Sequence, residues 1–503
     1  MSDTFNLAEF CLQENLEKRG NKEALIFLRG KNIRASFTYR ELAIKMASLS
    51  KQLKEYNLQK GSRIFIRLNH SPEFAIAFFA IVASGYVAVP ASPQLSKEEV
   101  TYLLKDSASS LVLFDSSLPL PSEIPSYCIS LDIQKVDFEK ESNLVFFNTR
   151  KDDPAFLVYT SGTTAYPKGV LHAQRSVLGR IPMLEGWTGL QEKDRLLHAG
   201  QMNWTYTLGV GLMDTWASGA TSILYSGESI PEYWPYFIGR EQVSIFVAVP
   251  ALYRRILKYT KLYNYNLQSL RHCLCAGEAL TSDLHEVWVR ESGKELFEAL
   301  GMSEVSTYIS SSSNFPYRSG SPGKPQKGRK VCLLPIDKES TEPLEKGEEG
   351  YIAIHKTEPG LMLGYWNVED KKHTGFRGDW FITGDVAHYD EDGYYYYHGR
   401  NDEMMNSFGY RVSPLEVERV LKQCLLVSDA AVTEIKKENG ISLIAAFVVL
   451  QDSCNETQVA EKILQYCSER LARYKTPREF HFVNKLPRNS NGKLKRKDLL
   501  LFL

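Results

Sequence analysis

No stretch of this chain stays apolar long enough to cross a bilayer. The longest run, Phe74 to Val89, is interrupted by Ser84 and Gly85 and followed by Pro90, whereas a spanning helix needs about 20 apolar residues. It reads instead as a buried helix running into a buried strand. Net charge is missing too. Lys plus Arg number 60, as do Asp plus Glu, so there is no general pull toward nucleic acid or an anionic membrane. The eight cysteines are scattered, and the close pair Cys273 and Cys275 is spaced C-x-C. That lacks zinc or redox spacing and points to free thiols in a reducing compartment. The first residues, Met1 to Gly20, are acidic and amphipathic, without the basic and apolar regions of a secretion signal. Internal repeats and low-complexity linkers are absent, and so is a Walker-type phosphate loop. The chain closes on Leu-Phe-Leu rather than S-K-L. Cytoplasm is the location these absences leave as the default.

What is present suggests layered α/β architecture. The chain has 503 residues, 43% of them hydrophobic, enough for more than one domain. Arg63–Leu68, Val87–Pro90, Ser110–Phe114, Phe156–Thr160, Ser222–Tyr225 and Ile245–Val249 read as short strands, several apolar throughout. Helical patterns at Tyr39–Tyr56 and Pro72–Ser84 alternate with them. After Gly320 the texture turns to Gly, Pro and Lys, then to short strands at Gly350–His355 and Tyr394–His398, the pattern of a β-rich subdomain. The polar run 399–403 is the expected hinge. Beyond it a compact α+β domain is expected, with helices Pro414–Gln423 and Thr457–Leu471 and strands near Ala430–Glu434 and Ser442–Leu450. The expected division is 1–399 and 400–503, with the hinge near 400–402.

The strongest local signal is Tyr159-Thr160-Ser161-Gly162-Thr163-Thr164-Ala165-Tyr166-Pro167-Lys168-Gly169, directly after an apolar strand. Glycine and small hydroxyl residues let backbone N–H groups approach a polyphosphate. The hydroxyls of Thr160, Ser161, Thr163 and Thr164 add donors, and Lys168 adds a mobile charge. Alone, such a stretch reads more readily as a surface turn. As a whole it resembles the signature loop of the adenylate-forming superfamily, which holds acyl- and aryl-CoA synthetases, peptide-synthetase adenylation domains and luciferases. Ala165 stands where that family has glycine.

Further segments, in family order, extend the resemblance from about Tyr39 to Lys497. Leu300-Gly301-Met302-Ser303-Glu304 resembles the family's Y-G-x-T-E. The resemblance implies that Ser303 contacts the α-phosphate, that Glu304 with Thr160 serves Mg²⁺, and that Leu300 replaces the ring stacked on adenine. Thr383-Gly384-Asp385 resembles the segment whose Asp accepts from the ribose hydroxyls, a role carboxylates suit. Gly399-Arg400-Asn401-Asp402 resembles the hinge motif, implying ribose contact for Arg400 and a pivot at Asp402. Ser407-Phe408-Gly409-Tyr410-Arg411 resembles the strand along the pantetheine tunnel, with Gly409 at closest approach. Pro487 to Lys493 resembles the C-terminal P-x-x-x-x-G-K, which gives Lys493 the part of the catalytic lysine. Lysine suits it, because two anions must meet when a carboxylate attacks a phosphate.

The resemblance also implies an acyl pocket built from Met202-Asn203-Trp204-Thr205-Tyr206, Cys275-Ala276-Gly277-Glu278 and Leu300-Gly301-Met302. Trp204, Tyr206, Gly277 and Met302 are its candidate walls, though Trp204 also reads as core packing. Residues 202–207 hold no carboxylate for a substrate ammonium, which disfavours an amino acid. The family most resembled is that of medium-chain acyl- or aryl-CoA ligases. The implied reaction uses ATP and Mg²⁺ to make an acyl-adenylate, then coenzyme A to make a thioester. Alternatives are loading of a separate carrier protein's phosphopantetheine, a luciferase-like oxygenase, and a non-catalytic nucleotide binder marked by Ala165 and Leu300. With the last residue at Leu503, no fused carrier domain is expected.

Overall fold

The computed structural model describes residues 4–139, 143–160, 167–368, 375–407, 410–436, 442–451, 456–471, 473, 475–489, 492 and 494–503. The short apolar runs become interior strands. Arg63–Arg67 lies parallel to both Val87–Pro90 and Leu111–Phe114, and these strands are buried nearly throughout, as strands covered on both faces must be. They form the middle of a seven-stranded sheet. One flank continues with Pro154–Thr160, Lys168–Ala173 and Gly364–Tyr365, and the other ends at Ile129–Asp132. A nine-stranded sheet contains Leu296–Met302, His272–Ala276, Ile245–Ala248, Arg195–His198, Thr221–Ser226 and Glu23–Arg29. Its centre is parallel. Its ends are antiparallel, with Ser306–Ser310 beyond Leu296–Met302 and Ile33–Thr38 beyond Glu23–Arg29.

Pro72–Ala83 is helical and buried everywhere but Glu73, the consequence of an apolar surface all round the helix. It packs against Tyr39–Glu55 and Leu7–Lys18 in a core containing Phe74, Phe78, Phe79 and Trp216. The helix Tyr39–Glu55 starts on a capping box, in which Thr38 and Glu41 satisfy each other's backbone N–H groups. A five-stranded antiparallel sheet follows, made of Val331–Leu334, Gly350–His355, Trp380–Tyr389, Phe376–Arg377 and Tyr395–Arg400. This is the β-rich subdomain expected after Gly320. From Met405 onward the chain has its own core, including Val417, Leu421, Val432, Ile444, Val448 and Ile463. There Val427–Lys436 pairs antiparallel with Ser442–Leu450, which runs parallel to Glu479–Phe482.

Two features depart from the sequence reading. The N-terminal hairpin of Glu23–Arg29 and Ile33–Thr38 was not among the expected strands; its second strand exposes Ile33 and Arg34 and carries little apolar signal. The segment after Tyr206 is wound as a π-helix over Thr207–Asp214. Within it Gly209 lies against the Arg180 guanidinium, where a Cβ would come within 2.3 Å of Nη2. The seven described cysteines are free, and all but Cys332 are buried. Among the described residues, no helix is long and apolar enough to cross a membrane.

Candidate active site

The strands on either side of the Ser/Thr/Gly-rich segment pair antiparallel. Thr160 closes one strand opposite Lys168, which opens the next. Ser161, Gly162, Thr163 and Thr164 lie outside the described residues, as do Ala165, Gly409 and Lys493. Lys168 is half-buried, with Nζ 5.5 Å from the centre of the Tyr365 ring, a range in which a cation is attracted by the ring face. Tyr365 is held in place by its backbone, since Gly364–Tyr365 adds to the sheet beside Val170 and Leu171.

The Tyr365 hydroxyl donates to Glu304 Oε1 at 2.7 Å. Burial, then the Glu304 charge, pushes the phenol's pKa up, so it stays protonated as a donor. Glu304 sits in the tight connection between Leu296–Met302 and Ser306–Ser310. Its carbonyl accepts from the Met362 N–H at 2.8 Å. Gly301 in this hairpin has no room for a side chain, because a Cβ would lie 2.5 Å from the Ser306 carbonyl oxygen and 2.6 Å from the Thr307 Cα. Ser303, half-buried in the same connection, lines a cavity of about 20 Å³ with Thr205, His172 and Ser176, room for one water. Both ring nitrogens of His172 are buried outside hydrogen-bonding geometry. Burial pulls that imidazole down to about 4, against a smaller opposing pull from the Ser303 backbone.

A second acidic position faces the same region. Asp385 lies in Trp380–Tyr389 directly opposite Arg400 and is 5% exposed. Its Oδ1 accepts from the Tyr397 hydroxyl at 3.2 Å, and its Oδ2 from the Tyr308 hydroxyl at 3.4 Å. Arg400 Nη1 stands 3.7 Å from Oδ1 and donates to the Thr383 carbonyl at 2.6 Å. Tyr308 ties the two acidic positions together. Burial first, then Asp385, raises its pKa, with Arg400 opposing and Glu304 adding to the rise. Lys168, Tyr365, Glu304, Tyr308, Asp385 and Arg400 therefore share one neighbourhood. Asp402 lies in the turn Asn401–Glu403 that follows Arg400.

The proposed acyl walls are brought together in part. Ala276 pairs with Ala299 across parallel strands, which places Gly277 beside Leu300. Gly277 has φ +90°, a backbone that favours glycine. Tyr206 stacks on Trp187 at 5.9 Å and meets His198 edge-on at 4.6 Å. Its hydroxyl is buried without a hydrogen-bond partner. It packs on the cluster containing Ala276 and Ala299. Leu300 and Met302 pack on a different cluster, with Val305, Tyr308 and Ile309. Trp204 is half-buried at the start of the helical segment.

Glu278, next to Gly277, faces Arg254 at 3.7 Å and Arg488 of the C-terminal segment at 3.9 Å. Elsewhere, a surface hollow of about 490 Å³ is lined by Arg34, Arg195, Arg240 and buried Glu241. It contains none of the residues above and is explained by the ion pairs those arginines make with Glu241.

Tyr365, Tyr308 and Tyr397 were not singled out from the sequence. The run Gly364-Tyr365-Trp366 carries an aromatic signal, but nothing in it indicates a carboxylate partner 61 positions away.

Among the described residues, no group of three or more His, Cys, Asp or Glu could form an all-protein metal cage. The chemistry of Glu304 nonetheless suits Mg²⁺. It is one hard carboxylate with a single oxygen engaged among the described residues, and Mg²⁺ takes one or two carboxylates alongside water and substrate phosphates.

Known proteins resemble this chain over nearly its whole length. The 3-hydroxybenzoate–CoA ligase of Aromatoleum sp. (strain CIB) is 29% identical, over 92% of this chain and 90% of its own length. The mitochondrial acyl-coenzyme A synthetase ACSM5 of Homo sapiens is 30% identical, over 98% of this chain and 90% of its own. The crystal structure of the anthranilate CoA ligase AuaEII in complex with anthranoyl-AMP superposes with a TM-score of 0.88 at 27% identity, covering 100% of this chain and 98% of that one. Residues 12–366 match the AMP-binding enzyme family and residues 416–493 match the AMP-binding enzyme C-terminal domain, so the chain belongs to the AMP-binding enzymes.

Proposed function

We infer that the protein is an AMP-forming acid–CoA ligase: with ATP it converts a carboxylic acid to an acyl-adenylate, and coenzyme A then takes the acyl group as a thioester. The observation that carries this reading is the meeting of Lys168, Glu304, Asp385 and Arg400 around Tyr365 and Tyr308. That arrangement offers cations for a polyphosphate, a hard oxygen for Mg²⁺ and acceptors for a ribose. Asp385 accepts the ribose hydroxyls while Arg400 holds the strand end beside it. Thr160 and Lys168 receive the phosphates together with Ser161, Gly162, Thr163 and Thr164. Ser303 reaches the α-phosphate, and Gly301 and Leu300 flank the adenine. Glu304 and Thr160 would hold Mg²⁺, which would neutralise phosphate charge there. Lys493 brings the carboxylate and the α-phosphate together in the first half-reaction.

We further propose a division at residues 1–399 and 400–503. Turning about Asp402 withdraws Lys493 and presents Gly409 to the pantetheine, which separates two incompatible steps on one scaffold. The acid is aromatic or medium-chain, received between Trp204, Tyr206, Gly277 and Met302; the uncharged lining of residues 202–207 supports a substrate without an ammonium group. The setting is cytoplasmic, a reading supported by the free thiols.

The test is pyrophosphate release with Mg·ATP across benzoates, cinnamates, amino acids and fatty acids of graded length, with and without coenzyme A. Acid-dependent release with an acyl-CoA product is the expected outcome. Release without acyl-CoA moves the acceptor to a carrier protein, and silence across the panel overturns the reading.

A further inference from the structure

We propose that Tyr365 is a positioning residue for the metal: its hydroxyl engages one oxygen of Glu304 and so presents the other to Mg²⁺, while its ring face steadies Lys168 against the same nucleotide. The proposal rests on the ligase reading above. The Tyr365 hydroxyl donates to Glu304 Oε1 at 2.7 Å. No described residue donates to Oε2, and Glu304 is half-buried. A carboxylate with one oxygen pinned by a neutral donor keeps its charge and loses rotational freedom. The remaining oxygen is then pre-aimed, and less order must be imposed when a metal arrives.

The backbone around Tyr365 makes it a rigid support. Tyr365 pairs with Val170 in the sheet. The Trp366 N–H donates to the Gly169 carbonyl at 2.7 Å, and the Met362 N–H donates to the Glu304 carbonyl at 2.8 Å. The short segment from Met362 to Trp366 thus clamps the strand of Lys168 to the turn of Glu304 at both backbone and side-chain level. Trp366 adds a further hold, since its indole N–H donates to the Asp106 carbonyl at 2.8 Å. The ring of Tyr365 and its hydroxyl serve separate partners, Lys168 and Glu304. Removing the hydroxyl alone therefore tests the metal role while leaving the lysine contact in place.

The experiment is calorimetric titration of ATP into the full-length protein and into Y365F, each in excess Mg²⁺ and in EDTA. Thermal unfolding of both serves as the control for intact packing. Removing a hydrogen-bond partner behind a metal ligand typically weakens metal affinity by roughly 10–100-fold. The expected result is a loss of about that size in the Mg²⁺-dependent gain in ATP affinity, with affinity in EDTA unchanged. In E304Q the further Y365F change should have no added effect, because the partner it orients is already altered. Equal weakening in Mg²⁺ and EDTA assigns Tyr365 to general packing and overturns the proposal. So does an unchanged Mg²⁺ dependence. Failure of the unaltered protein to bind ATP in either buffer would sink the ligase reading instead, which separates the two outcomes.

Discussion

At the scale of single residues, the proposed ribose contact needs an acceptor at Asp385 that a donor cannot replace. Asp385 is buried, and among its contacts are the Tyr397 and Tyr308 hydroxyls at 3.2 and 3.4 Å and the Arg400 guanidinium at 3.7 Å. A carboxylate has four lone-pair sites and can accept two adjacent hydroxyls as charge-assisted bonds. In D385N one of those acceptors becomes an NH₂ group that faces hydroxyls and the Arg400 guanidinium. A hydrogen bond to a charged group contributes about 1.5–3 kcal/mol, so the KM for ATP should rise roughly 10–100-fold. The KM for the acid should stay near its original value. Steady-state kinetics with each substrate varied in turn checks this, and a matching rise in both constants would mean that Asp385 serves the fold rather than the ribose. Asp385 and Glu304 could be proposed from the sequence only through the family motifs they resemble, since each short segment alone reads as a turn or an exposed acid. Tyr365, Tyr308 and Tyr397 could not, because what gives them a role is the carboxylate they meet in space.

At the scale of elements, the sequence was most legible where burial alone decides. Val87–Pro90, Gly350–His355 and Ser442–Leu450 occur with the bounds that their apolar pattern implied, and the helix after Ser71, apolar but for Glu73, could only be interior. It was least legible where backbone geometry serves a neighbour. The π-helical winding at Thr207–Asp214 and the close packing of Gly209 on Arg180 leave no periodic signature. The hairpin that carries Glu304 lies between these cases, since Gly301 is visible in the sequence but its reason is not. That reason is the approach of Ser306 and Thr307 backbone to within 2.6 Å of where a Cβ would stand. In G301A backbone must move, because no flexible side chain is there to yield. We expect a stability loss of about 1–3 kcal/mol, the cost of overpacking, and a larger loss of activity, since the shift displaces Ser303 and Glu304. Urea unfolding beside pyrophosphate release separates the two effects. A destabilised protein with full activity at low temperature would show that the hairpin is not coupled to the site.

At the scale of the whole molecule, the question is what holds the C-terminal segment against the rest. Glu278 stands between two arginines, Arg254 on the helix Pro250–Tyr259 and Arg488 near the chain's end. Its Oε1 is buried without a hydrogen-bond partner. Arg488 donates to the Gly492 carbonyl and to Asp429 Oδ2, both at 2.7 Å. The guanidinium thus ties the turn preceding Lys493 to the C-terminal core while facing a carboxylate from the N-terminal part. If that pairing favours the orientation in which Lys493 serves adenylation, loss of the charge should slow the first half-reaction and spare the second. A partly exposed pair at these distances contributes up to about 1 kcal/mol, so E278Q should slow adenylation roughly three- to fivefold. Thioester formation from supplied acyl-adenylate should be unchanged, and so should the KM for the acid, despite the neighbouring Gly277. An R488Q change added to E278Q should have little further effect on adenylation, since partners in one contact are not additive. Equal slowing of both half-reactions would place Glu278 in the shared substrate site and leave the docking of the two parts to other contacts.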